Sequence, residues 1–335
     1  MSLGVFKSAA LFCIALCCCF SLPAISADSP QKKQKSKQEK EVVYETNLLP
    51  DESWMGSVHT VVSDSVYQSA YWFDSFFTND DTEQRKPTTN ARIRLSWEPR
   101  SRDFGEFDTR FRVKVKLPHF KNKVDLILSD DSEDDLDRLP LDGPSIKPEE
   151  DEERFAAAVR YIFKKSEGQV TDSRIGISGG DIFVRARHRK IFVWDDNHGF
   201  KMEPSIYYYL DDGLGAKLLL EYDYQISQTR QLRFNYSIRG SESFSGIRWK
   251  HGLYHLHQLA TDKASIFGLQ VEGERNGDRG FIIDNYTLSY RYRFNALKKW
   301  LFFEVEPFLE WPEDENYATT PGIALRVEGY FYKGK

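Results

Sequence analysis

The sequence predicts an all-β fold: a transmembrane antiparallel β-barrel of about 12 strands (12–14), preceded by a short periplasmic helix near the N-terminus. Three observations carry that reading. Apolar and polar residues alternate over most of the chain from Asn90 onward. The alternating runs are about ten residues long, the length at which a tilted strand crosses a bilayer. Aromatic residues make up 14% of the chain. They gather at the ends of the runs, at Trp97, Phe163, Tyr224, Phe294, Trp300, Trp311 and Phe331, where membrane interfaces favour them.

The first 27 residues read as a cleaved signal peptide. Lys7 supplies a positive start, "AALFCIALCCCFSL" a short apolar core, and "PAISA" a small-residue cleavage site ending at Ala27. Cys13, Cys17, Cys18 and Cys19 all lie inside it, so the mature chain has no thiol, no disulfide and no cysteine metal site. A lipoprotein reading fits less well, because Leu16 or a cysteine would precede the cut where a small residue is wanted. Past Ala27 no run of about 20 apolar residues could form a membrane helix.

Residues 28–50 begin as a Lys- and Gln-rich tract without apolar period, a flexible polar tail. A solvated leader is the plainer reading, a basic contact with an anionic partner the sharper one. Residues 51–86 carry helical spacing instead. Trp54, Val58, Val61, Val62, Val66, Phe73, Phe76 and Phe77 recur at three- and four-residue intervals, behind capping side chains at Asp51 and Ser53. This amphipathic helix ends before Pro87 and would cap one end of the sheet or plug the barrel.

Residues 87–335 are expected to form the barrel. "ARIRLSW" sets Ala91, Ile93, Leu95 and Trp97 against Arg92 and Arg94. "TRFRVKVKLP" sets Phe111, Val113, Val115 and Leu117 against Arg110, Arg112, Lys114 and Lys116. Successive strand side chains point to opposite faces, so one face is apolar and the other cationic. The pattern continues through "RFAAAVRYIFK", "QLRFNYSIR", "IFGLQVEGE", "NYTLSYRYRF", "LFFEVEPFLEW" and "IALRVEGYF". Turn signals such as "DDGLG", "SQTR", "NGDRG" and "EDENYATTPG" separate the runs. Arg174 to Phe200 can be parsed as one strand or two. "ISGGD" within it reads as a bulge rather than a phosphate loop.

Alternation also suits a soluble sandwich. Long uniform strands, aromatics at their ends and rows of charge on one face favour the membrane barrel. Such rows suit a water-filled or ion-paired lumen and are costly against lipid. The signal peptide, the dyad repeats and the ending "ALRVEGYF" resemble Gram-negative outer-membrane β-barrel proteins. The resemblance covers roughly residues 90 to 333 and is architectural. It implies an outer-membrane location, contact with membrane lipid and lipopolysaccharide, and recognition of a terminal aromatic by the barrel-assembly machinery. Phe331 takes that terminal place, although "YKGK" follows it.

The candidate functional residues are the charges expected to line the lumen. The basic set is Arg92, Arg94, Arg110, Arg112, Lys114, Lys116, Arg160, Arg185, Arg187, Arg189, Arg291, Arg293 and Arg326. The acidic set is Glu221, Asp223, Glu272, Glu274, Glu304, Glu306 and Glu328. A basic wall facing an acidic wall would make either a narrow, ion-selective pore or a lumen filled by ion pairs. A final hairpin centred near Asn316 would set Glu306 opposite Arg326 and Glu304 opposite Glu328. Glu304 and Glu328 would then need a cation or arginine from across the lumen, with Arg110 to Lys116 the nearest supply.

The acidic stretch Ser129 to Glu153 lacks the ligand pattern of a Ca²⁺ loop and reads as a solvated surface loop. His255 and His257 are weak catalytic candidates, two apart on one strand. Barrel lipid hydrolases carry a His-x-Ser pair, which is absent here, and no serine is marked as activated. No cofactor or metal motif is present. Nucleic acid is not an expected partner, given a net charge of -5. The sequence therefore points to an envelope-structural or narrow porin-like barrel. A lipid hydrolase barrel and a soluble periplasmic β-protein are the alternatives.

Overall fold

The computed structural model describes residues 87–334 except 106, 118–122, 130–140, 142–155, 167, 196, 245, 278 and 297, together with Trp72 and Phe76. The signal peptide and the polar tail lie outside the described residues. So does the 51–86 helix, apart from Trp72 and Phe76, both of which are helical.

The strands are β1 (Pro87–Trp97), β2 (Phe107–Lys116), β3 (Val124–Ser129), β4 (Ala156–Ser166), β5 (Gln169–Ser178), β6 (Asp181–Val193) and β7 (His198–Tyr209). They continue as β8 (Gly213–Ser227), β9 (Arg230–Ser241), β10 (Gly246–Ala260), β11 (Lys263–Asn276), β12 (Gly280–Asn295), β13 (Leu301–Pro312) and β14 (Thr320–Gly334). Each pairs antiparallel with its neighbours in sequence, and β1 pairs with β14 to close the barrel. Closure removes the edge strands that an open sheet would expose. With an even number of strands, Pro87 and Gly334 lie at the same end.

The count is 14, not about 12. Two features hide the difference. β3 is only six residues long and mostly apolar, so it shows little period. Residues 174–200 also contain a turn, at Gly179 and Gly180. Their φ angles are 58° and 84°. Two successive positive φ values define the tight hairpin turn that glycine favours. "ISGGD" is therefore a hairpin, not a bulge.

The faces are inverted relative to a soluble protein. On β9, Arg233 and Asn235 are 0% exposed while Phe234 between them is 43% exposed. Polar side chains fill the interior, and apolar ones cover the outside. Ile93, Leu95, Val159, Ile175, Ile206, Leu253, Phe267 and Leu269 are all exposed. Aromatic pairs ring both ends of this apolar band. Trp97 stacks on Phe107 at 5.6 Å, and Trp249 on Phe281 at 5.3 Å, at the end away from the termini. Phe294 stacks on Phe303 at 5.5 Å, and Trp300 meets Phe331 at 5.2 Å, at the termini end.

Inside, bulky rings need room against the wall. Tyr207 lies over Gly215, Tyr254 over Gly252, and Phe308 over Gly322. Each glycine leaves space that a Cβ would occupy. A ring covering a strand glycine shields its backbone and compensates for the missing side chain.

Candidate functional site

The interior charges are arranged by strand register. Adjacent strands place opposed side chains about 5 Å apart on the same face, within reach of long charged groups. Glu304 on β13 stands opposite Arg326 on β14 and opposite Arg293 on β12. Arg326 donates to both Glu304 and Glu306. Arg291 Nε donates to Glu306 at 2.9 Å, and Arg293 to Glu304 at 3.2 Å. Arg293 also reaches Glu328, which accepts a 2.7 Å hydrogen bond from the Tyr330 hydroxyl. Closure of the barrel then brings Arg92 onto Glu328, with Arg94 at 3.5 Å. One continuous network thus runs from β12 to β1.

The structure corrects the expected final hairpin. Glu304, not Glu306, faces Arg326, and Glu306 faces Ala324. Glu328 faces Phe302 on β13 and Arg94 on β1. The connection causes the offset: a one-turn 3₁₀ helix at Glu313–Glu315 is followed by left-handed Asn316 and Tyr317, at φ 54° and 57°. Glu328 is therefore compensated by its neighbours Arg92 and Arg94 and by Arg293, rather than from across the lumen by Arg110 to Lys116.

The nominally basic half carries its own acids. Asp125 on β3 lies 3.5 Å from Lys114 and 3.6 Å from Arg160. Asp172 on β5 accepts from Arg160 and Arg187, each at 3.1 Å. Arg174 is 3.8 Å from the same carboxylate. Arg187 and Arg189 converge on Glu203 at 3.3 and 2.6 Å. Arg185 is buried opposite Arg174. Arg110 pairs with Asp108, Arg112 stands opposite Arg92, and Lys116 opposite Asp125. On β7 to β9, Lys201 meets Glu221 at 2.8 Å and Arg233 meets Asp223 at 2.7 Å. Lys250 meets Glu272 at 2.7 Å, and Arg248 lies 4.0 Å from Glu274.

Sequence reading missed the acids Asp125, Asp172 and Glu203. Each is the single acidic residue of its strand. Glu98, just beyond β1, was also missed. It accepts two hydrogen bonds from Arg326, at 3.0 and 2.8 Å. Burial pushes the Glu98 carboxyl up, but the Arg326 guanidinium, helped by Arg100 and Arg110, more than offsets this and holds it below its ordinary value.

The interior also holds an unexpected apolar patch. Tyr254 and Leu256 on β10 and Ala264 and Ile266 on β11 are buried against Phe76 and Leu141. Phe76 stacks on Trp72 at 4.8 Å and meets Phe302 edge-on at 5.4 Å. The Arg293 guanidinium lies 5.7 Å from its ring centre. Leu141 belongs to the stretch expected to be a solvated loop, yet it is only 2% exposed. The β10 sequence "GLYHLHQLA" sets Tyr254 and Leu256 on one face against His255 and His257 on the other, the reverse of the polar-in pattern elsewhere, which was the available signal.

His255 and His257 face outward, since Tyr254 and Leu256 point in. Their rings are 6.3 Å apart. Ser265 stands opposite His257 in register, but no hydrogen bond joins the two among the described residues. Among the described residues no three metal-ligating side chains converge.

No protein-family model and no curated protein matches the chain. Solved structures of similar fold include the KdgM porin, with 7% identity and a TM-score of 0.35 over 72% of this chain and 99% of that one. The outer membrane channel DcaP of Acinetobacter baumannii matches with 10% identity and a TM-score of 0.45, over 72% and 96%. OmpT, an outer membrane protein of Vibrio cholerae, matches with 6% identity and a TM-score of 0.46, over 72% and 97%.

Proposed function

We propose that the protein is an outer-membrane barrel of a Gram-negative envelope with a narrow, ion-paired interior. It serves as an envelope-structural element or a narrow channel, and a cleaved signal peptide exports it. The observation that carries the membrane reading is the inverted surface: a closed barrel with buried arginines inside and exposed Ile, Leu, Val and Phe outside. Contiguous apolar surface of that kind is not left in water by a soluble monomer. Bilayer lipid is the solvent that fits it, and closed barrels are the β-structures able to span one.

The narrow reading rests on what fills the interior. Barrels of about eight strands are filled by side chains, and those of about 16 to 18 leave an aqueous channel. Fourteen strands fall between these limits. The network from β12 to β1 binds its arginines to neighbouring carboxylates, and Phe76 and Leu141 occupy space inside the wall. Membrane lipid and lipopolysaccharide are the partners in place, with the barrel-assembly machinery acting during biogenesis.

The lipid hydrolase alternative requires an assembled nucleophile, base and orienting group. His257 and Ser265 are neighbours on the outer face without a hydrogen bond between them. Fractionation tests the membrane reading. The mature chain should partition with outer membranes and run as a compact species on gels until heated. Recovery as a periplasmic protein without detergent would end this reading.

A further inference from the structure

The outer face carries a cluster of cations at the termini end, whereas at the opposite end Arg275 stands outward singly, opposite Ile247 and Phe281. Outward positions are those alternating with buried interior residues. At the termini end they include Arg230, His257, Ser265 and Tyr292, which form one row across β9, β10, β11 and β12. His255 lies one outward position further along β10, and Lys263 one position nearer the rim on β11. β4 to β6 repeat the pattern. Lys164, Thr171 and His188 share a row, with a 2.8 Å hydrogen bond between Thr171 and His188, and Lys190 follows on β6. Among the described residues, no carboxylate forms an ion pair with Arg230, Lys263, Lys164 or Lys190. Asp262 lies in the turn beside Lys263, and its backbone carbonyl accepts from Asn295.

This is an unusual use of charge. Most other Arg and Lys side chains on the strands point inward, where carboxylates offset them, whereas these cations border the apolar band on the outside. Cations without a carboxylate partner and a phenol donor in one row at a membrane interface match an anionic headgroup. We infer that Arg230, His257 and Tyr292 of this row, with Lys263, bind the phosphate of anionic phospholipid in the periplasmic leaflet. The leaflet follows from topology. This rim is at the end with Pro87 and Gly334, and an exported chain that inserts from the periplasm keeps that end there. The inference rests on the outer-membrane reading above. Interfacial aromatics anchor the barrel in depth, and the cationic row adds a preference for charge.

The test uses the full mature protein purified in dodecyl maltoside. It is incubated with an equimolar mixture of dioleoylphosphatidylglycerol and dioleoylphosphatidylcholine, and retained lipid is quantified after gel filtration. Each Lys or Arg near an anionic surface strengthens attraction roughly fivefold. Wild type should retain phosphatidylglycerol well above phosphatidylcholine. R230Q/H257Q should lose most of that preference, and R279Q at the opposite rim should keep it. K263Q provides a second, milder variant. Heat-modifiable gel mobility monitors folding throughout. Equal retention of the two lipids by folded wild type overturns the inference and leaves the barrel reading intact. A parallel arm with purified lipopolysaccharide fixes the leaflet: R230Q/H257Q should leave its retention unchanged, and loss of lipopolysaccharide instead of phosphatidylglycerol overturns the assignment.

Discussion

Glu304 and Arg326 stand directly opposite each other on β13 and β14, and both are almost wholly buried inside the barrel. Arg326 is the hub of its network, since it also holds Glu306 and Glu98. Removing one partner of a buried ion pair leaves an uncompensated charge and costs about 3–5 kcal/mol. R326A should therefore be strongly destabilising, by an amount in that range. Urea unfolding in detergent micelles, followed by tryptophan fluorescence, measures it. The peripheral variant R102A, whose Glu315 partner is on the surface, should change stability by less than about 1 kcal/mol.

Val113 lies mid-strand on the outer face of β2, opposite Ala91 and Leu128. Arginine at the bilayer midplane of a barrel costs roughly 2–4 kcal/mol. V113R should lose that much membrane stability and fold poorly into liposomes. K114A, one residue on, removes an interior cation 3.5 Å from Asp125. Arg160 remains beside that carboxylate at 3.6 Å, so K114A should still assemble. Equal assembly of the two variants would show that the faces are assigned wrongly.

Phe308 lies across Gly322 on the neighbouring strand. A side chain at 322 would displace the ring within a packed interior, and overpacking of that kind costs about 1–3 kcal/mol. G322V should lower the unfolding midpoint accordingly. The double variant G322V/F308A should recover part of the loss, because the clash is then gone.

Phe76 sits between Trp72 and Phe302, against the apolar patch of β10 and β11. Because it fills interior space, F76A should raise the permeation of small solutes through the barrel without altering gel mobility. Liposome swelling with small sugars reports the change. F302A removes the opposing ring and should shift flux in the same direction.

Much of this architecture was legible because a strand has a period of two. The alternation in "TRFRVKVKLP" assigns each side chain to a face with no knowledge of the rest of the chain. Register is a different quantity. It depends on turn geometry, and the left-handed Asn316 and Tyr317 moved Glu304, rather than Glu306, opposite Arg326. Ion pairing followed register, so Glu328 met Arg92 through closure of β1 on β14. Closure brings together residues 236 apart in sequence, which no local pattern encodes. β3 escaped notice because its six residues are too few to show a period. The apolar patch around Tyr254 was hidden for a different reason: here β10 sets Tyr254 and Leu256 against His255 and His257, so alternation alone points to the wrong face as the inner one.

Planar-bilayer conductance of the purified wild-type protein tests the central claim most directly. An interior lined by neighbour-to-neighbour ion pairs and partly occupied by Phe76 and Leu141 should give negligible current, or small events whose ion selectivity shifts in K114E/K116E. A large, stable open-channel conductance from folded wild-type protein would contradict the account and make the protein a general porin.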